Sequence, residues 1–118
     1  STKVNELKRL RHKNLMGINE ISTYVQNNYT FYYIETEYFP GRSLWNKLLF
    51  TKHTYEQSLE IIEQIIDGLK EFHHRYLYFE TLNSENIIIN ADGIIKIDVL
   101  SYLQQKNNLE IRLFCFYC

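Results

Sequence analysis

The chain has 118 residues, enough for one domain and no more, since domains cluster near roughly 100–150 residues. Hydrophobic residues make up 45% and charged residues 23%, the balance of a globular sequence rather than a disordered one. A net charge of −1 gives no general electrostatic reason to bind nucleic acid or an acidic lipid surface, and no apolar run approaches the roughly 18–20 residues of a membrane span.

Tyr occurs 10 times beside many Asn, Ile and Lys, a usage that an A+T-rich coding sequence produces as readily as any function. Cys115 and Cys118 form a lone C-x-x-C. No second pair and no nearby His completes a site there, so they read as two apolar tail residues. No signal peptide opens the sequence, and the expected compartment is the cytoplasm. The chain starts at Ser1 and runs out in the apolar stretch Leu109–Cys118, which reads as a piece of something larger or a truncated reading frame.

In chain order, Val4, Leu7 and Leu10 have helical spacing, with Ser1 or Thr2 available as a cap. Arg11-His12-Lys13-Asn14-Leu15 breaks that pattern. Ile18–Val25 and Tyr29–Tyr38 are rich in β-branched and aromatic residues, and Asn27-Asn28 between them tolerates the positive φ of a tight hairpin. The Tyr-rich second strand reads as part of a packed sheet. Pro40-Gly41 ends it, and Ser43 caps a short helix over Leu44–Phe50. The clearest helix is Tyr55–His74. Thr54 and Gln57 fit a capping box, and Leu59, Ile62, Ile65, Ile66, Leu69 and Phe72 make one apolar stripe. Gly68 marks a close helix contact. His73 is expected to be packed at the helix end, and His53 and His74 solvated. A hairpin follows, Ile87–Asn90, Ala91-Asp92-Gly93, Ile94–Ile97. From Val99 onward the chain is expected to be extended and then irregular.

The run Phe79-Glu80-Thr81-Leu82-Asn83-Ser84-Glu85-Asn86-Ile87-Ile88-Ile89-Asn90 resembles the catalytic loop of the protein kinases, H-R-D-L-x-x-x-N followed by two short strands and D-F-G. Leu82 and Asn86 match that signature, while Phe79, Glu80 and Thr81 replace His-Arg-Asp. Other stretches agree in order. Leu10-Arg11-His12-Lys13-Asn14-Leu15 is similar to the family's L-x-H-P-N-I between helix C and strand 4. Tyr32–Leu44 is similar to L-Y-L-V-M-E-Y-x-P-G-G-S-L, Phe72-His73 to the L-H closing helix E, and Ile95-Lys96-Ile97 to the V-K-I of strand 8.

The resemblance covers residues 1–103 and implies an α+β partial kinase domain. It would comprise an N-lobe remnant over residues 1–38 (helix C and a strand 4/5 hairpin). Residues 39–103 would form the hinge, helix D, helix E and the catalytic-loop hairpin of the C-lobe, and 104–118 an apolar tail. It makes Thr36 the gatekeeper and puts the nucleotide-binding hinge at Thr36, Glu37 and Phe39, whose backbone would meet adenine.

The departures from the pattern decide the functional expectation. Phosphoryl transfer is mostly positioning and charge neutralisation, so particular groups must be present. Thr81 stands where the proton-accepting Asp belongs, which leaves Thr81, Glu80 and Asn83 as degenerate catalytic positions. Counting on from Lys96-Ile97, the D-F-G Asp falls on Val99; a one-residue deletion would put Asp98 there. Asn86 and Asp98 are then the candidate metal residues, although Asn86 reads equally as a loop brace. The helix C Glu position carries Lys3. The expectation is a catalytically inactive, pseudokinase-type interaction or scaffolding module, not an enzyme, with ATP and Mg2+ as cofactors only if nucleotide binding survives. One alternative is a divergent Ser/Thr-type kinase fragment that transfers the γ-phosphate of ATP to protein, with Glu80 and Asp98 covering the lost roles. Another is a truncated product with no autonomous function. The expected partner is a protein or a second copy, met through an open sheet edge and residues 109–118.

Overall fold

The computed structural model describes residues 2–107, with side chains for 4–103. The element order is α1 (Thr2–Arg9), β1 (Ile18–Gln26), β2 (Tyr29–Thr36), β3 (Arg42–Ser43), α2 (Leu44–Phe50), α3 (Tyr55–His74), β4 (Ile87–Ile89), β5 (Ile95–Ile97) and α4 (Leu100–Asn107). The fold is α+β, as the sequence implies. No helix of the described residues is long and apolar enough to cross a membrane.

β1 and β2 form an antiparallel hairpin with Tyr24 opposite Phe31, and a register shift between Ile18 and Glu20. Asn27 and Asn28 carry its turn at φ 51° and 65°, the left-handed pair that Asn tolerates best after Gly. The base of the hairpin is anchored by buried Ile18, Ile34 and Thr36. Its distal half is not. Tyr24, Tyr29, Phe31 and Tyr32 are exposed, so the Tyr-rich strands form no packed sheet among the described residues. β2 also ends at Thr36, two residues short of the expected strand, and 37–39 run on as a separate connector.

α3 is the central support. Its capping box is complete: Thr54 Oγ1 accepts from Gln57 N, and Gln57 Oε1 accepts from Thr54 N. The buried face is rotated from the expected stripe. Ile61, Gly68 and Phe72 are buried with Ile65 and Leu69 beside them, whereas Leu59, Ile62 and Ile66 are exposed. Gly68 sets that rotation. A Cβ there would lie 2.9 Å from Asn14 O and 3.1 Å from Ile97 Cδ1, so the close contact is with a loop and a strand rather than a helix.

Asn14 shows what the Arg11–Leu15 segment does. Its Nδ2 donates to Ile95 O (2.9 Å) and Gln64 Oε1 (3.1 Å), and Gln64 Oε1 also accepts from Ile95 N. Ile97 N donates to Asn14 O and Met16 N donates to Ile97 O, which seats the loop beside β5 as a parallel bridge. β5 pairs with β4, and β4 with β3, a third strand that the sequence did not announce.

The expectation of extended and irregular chain after Val99 is wrong. α4 begins at Leu100 because Asp98 Oδ1 accepts from Leu100 N (3.0 Å), while Val99, Leu100, Tyr102 and Leu103 go into the core. Residues 109–118, including the C-x-x-C, lie outside the described residues.

Candidate functional site

The connector 37–39 is braced by side chains. Glu37 N donates to Gly17 O (2.9 Å), and Glu37 Oε1 accepts from Gly17 N (3.1 Å) and from Lys96 Nζ (2.6 Å). Lys96 also lies over the Phe39 ring, 5.2 Å from its centre. Thr36, buried at the end of β2, donates from Oγ1 to Glu37 O (3.1 Å). Three elements therefore hold this stretch in one geometry: the loop before β1, β2 itself and β5.

The loop 79–86 is positioned by packing at one end and a turn at the other. Phe79 stacks on Phe72 at 4.5 Å and meets Tyr102 edge-on at 6.2 Å, so the first replaced signature residue serves as an aromatic anchor. Leu82 packs against the core. Asn83 caps a single 3-10 turn over Ser84–Asn86, its side chain accepting from Glu85 N (2.9 Å). That is a local structural role for Asn83. Glu80 and Thr81 are both exposed.

Strand alternation sorts the hairpin into two faces. Ile87, Ile89, Ile95, Ile97 and Val99 point into the core, which leaves Asn86, Ile88, Lys96 and Asp98 on the opposite face with the 37–39 stretch. The structure thus brings Asn86 and Asp98 together, with Asp98 N donating to Asn86 O (2.7 Å). Val99 is 1% exposed and faces away. Burial pushes the Asp98 carboxyl above the ordinary aspartate value, against the smaller opposing effect of the Leu100 N–H. Magnesium is a hard cation held by carboxylates in near-octahedral geometry. The face offers the Glu37 carboxylate, paired with Lys96, the Asp98 carboxylate, which caps α4, and one neutral amide. That donor set fits a magnesium–nucleotide poorly. Among the described residues no three His, Cys, Asp or Glu side chains converge.

No protein-family model matches the chain. Among curated proteins, CBL-interacting protein kinase 21 of Oryza sativa subsp. japonica is 29% identical over 92 residues, covering 77% of this chain and 17% of that protein. Mitogen-activated protein kinase kinase kinase dlk-1 of Caenorhabditis briggsae is 30% identical over 120 residues, 97% of this chain and 13% of that protein. A chain of the yeast RNA Pol II CTD kinase CTDK-1 complex superposes with a TM-score of 0.63 at 26% identity, over 80% of this chain and 30% of that one. The chain is a protein-kinase-like segment.

In this kinase-like chain the element order matches the expected one, from helix C through the hinge and helix E to the catalytic-loop hairpin. It spans less than a third of each of these proteins, so a whole kinase's activity does not pass to it by likeness alone. Sequence reasoning missed the Glu37–Lys96 pair, although opposite charges in the hinge and in the V-K-I stretch were a usable signal. It also missed Gln64 as the residue that ties α3 to β5, which no spacing rule marks.

Proposed function

We propose that the chain is a catalytically silent, pseudokinase-type module that works by binding another polypeptide. The observation that carries this reading is the use of Asp98. The Asp98 carboxylate beside Asn86 turns one oxygen to the α4 backbone, Oδ1 accepting from Leu100 N, and Val99, the other candidate for the D-F-G Asp position, is in the core. Thr81 adds to it, because a hydroxyl lacks the basicity that proton removal from a substrate alcohol needs. Hinge backbone around Glu37–Phe39 supports at most weak nucleotide binding that ignores magnesium. Thermal melting with ATP, with and without Mg2+, tests this: small shifts, equal in both series, are expected. Stabilisation that requires Mg2+ would favour the second reading, an active divergent kinase with Asp98 as the metal ligand, whose support is that Asp98 and Asn86 share a face.

The binding half of the proposal rests on exposed apolar surface and on β1–β2, which pair only with each other among the described residues. Trp45, Leu48, Leu49 and Phe50 of α2 and Leu59, Ile62 and Ile66 of α3 all face solvent. An unpaired strand edge invites another strand, and residues 109–118 have the β-propensity and low charge of one that would take it. The cytoplasm is the compartment that this reading carries. Light scattering after size exclusion should show self-association of the full chain that disappears without residues 109–118. A monomeric full chain would remove the tail from the proposal.

A further inference from the structure

α3 carries a second apolar face, apart from the one it turns to β5 and the Asn14 loop. Tyr55, Leu59, Ile62 and Ile66 follow one another at spacings of four, three and four residues, and they are 39–75% exposed. At about 100° per residue they fall within an arc of about 60° and make a seam ~17 Å long. Ile61, Gly68 and Phe72, which the helix buries, lie more than about 100° away round the axis. Single exposed apolar side chains are ordinary on a protein surface, whereas a continuous stripe marks a contact surface.

One residue further along stands a matching row of acids. Glu56, Glu60, Glu63 and Asp67 repeat the same spacing, about 100° round the helix from the seam. Glu56, Glu60 and Glu63 are exposed and Asp67 is half-buried. The ion pairs among the described residues use none of the four. Lys70 is the only lysine or arginine in α3. The seam therefore runs beside an acidic border along its whole length. Such a border repels a nucleic acid or an acidic membrane surface and favours a basic partner. A straight seam of about three turns fits the i, i+4, i+7 side chains of another helix.

We propose that α3 docks a basic amphipathic helix of a partner polypeptide. The partner's apolar residues lie along Tyr55, Leu59, Ile62 and Ile66, and its Lys or Arg side chains face the acidic border. Burial of the seam supplies the affinity, and the border selects the partner and its orientation. This rests on the polypeptide-binding half of the function proposed above and names the chemistry of that polypeptide. A second copy of α3 fits less well. Packed antiparallel it sets its own acidic border against this one, and packed parallel it leaves the border unmatched.

The test is fluorescence anisotropy of a labelled peptide titrated with the full chain. The peptide has Leu at the same four-three-four spacing and Lys beside each Leu. Its controls are the same sequence with Glu for Lys, and a scrambled sequence of the same composition. A peptide of about 14 residues is barely helical alone, so docking also shows as a gain in helical circular dichroism. The Lys peptide should bind in about the micromolar range, about tenfold or more tighter than either control, and weaken as salt rises. Ile62→Gln with Ile66→Gln should weaken it about tenfold or more. Glu56→Lys with Glu63→Lys should shift the preference to the Glu peptide. All four side chains are exposed, so both double variants should melt with the parent. Unchanged anisotropy with the Lys peptide would overturn the proposal. So would a control that binds equally, or binding that the Ile62→Gln, Ile66→Gln variant leaves intact. Light scattering of the free chain that falls in that variant would also overturn it and make a second copy the occupant. Phosphoryl transfer by the full chain would remove the silent-module reading and leave this surface standing. A failed peptide without transfer would remove this surface alone.

Discussion

Asp98 carries two demands that pull against each other. As a cap its carboxylate accepts Leu100 N–H, and as a buried group it resists ionisation. Its proton is therefore held more tightly in the fold than in the unfolded chain. As pH rises past the ordinary aspartate value of about 3.9, the unfolded chain releases the proton first and stability declines until the raised value is passed. Asp98→Asn keeps an oxygen for the cap and has no charge to bury. It should melt at or above the parent at neutral pH and lose that part of the acid-range slope, as chemical denaturation between about pH 3 and 7 would show. Lys96 is the other decisive residue. Its pair with Glu37 is 14% and 35% exposed, enough burial for the bond to count. Lys96→Met should lower stability by about 1–2 kcal/mol, less than a fully buried pair would cost, and should raise hydrogen exchange at Glu37 N. Unchanged exchange there would mean that the hinge needs no brace from β5. Nothing local announced this pair, because its members stand 59 residues apart.

At the scale of elements, α3 shows how close packing overrides propensity. Ala is a better helix former than Gly by about 1 kcal/mol, yet Gly68→Ala would press a methyl against Asn14 O and Ile97 Cδ1. Overpacking of that kind costs about 1–3 kcal/mol. The variant should therefore unfold at lower denaturant than the parent; a gain in stability would mean that the loop yields freely. The same contact explains what was legible in the sequence and what was not. The capping box of α3, the Asn27-Asn28 turn and the Ser43 cap depend on neighbours within a few residues, and each stands where expected. The face of α3 depends on Asn14 and β5, far away in sequence, so the apolar stripe alone put Leu59, Ile62 and Ile66 inside when they are outside. α4 was missed because its start depends on a buried cap and on burial of Tyr102 against Phe72, 5.2 Å away, rather than on a strong helical stripe. At the candidate site, motif order pointed to the 37–39 connector and the 79–86 loop. The tasks taken by Phe79, Asn83 and Asp98 needed coordinates, since each is a packing or capping contact.

Across the described residues, several groups at positions matching the kinase signature serve the packing of the segment itself. Asn14, Gln64, Gly68 and β5 join α1's trailing loop to α3, and the Glu37–Lys96 pair joins the hinge to the same strand. Phe79 anchors the loop where the family signature has His, and Asp98 starts a helix. General-base loss at a positioned site typically costs ~10²–10⁴-fold in rate, before any metal defect is added. The most direct measurement is transfer of labelled γ-phosphate from ATP, with Mg2+ and a generic protein substrate, by the full chain. No incorporation above a protein-free blank is expected. Incorporation that vanished in Glu80→Ala or in Asp98→Asn would contradict a silent module and make those side chains the base or the metal ligand of an active kinase.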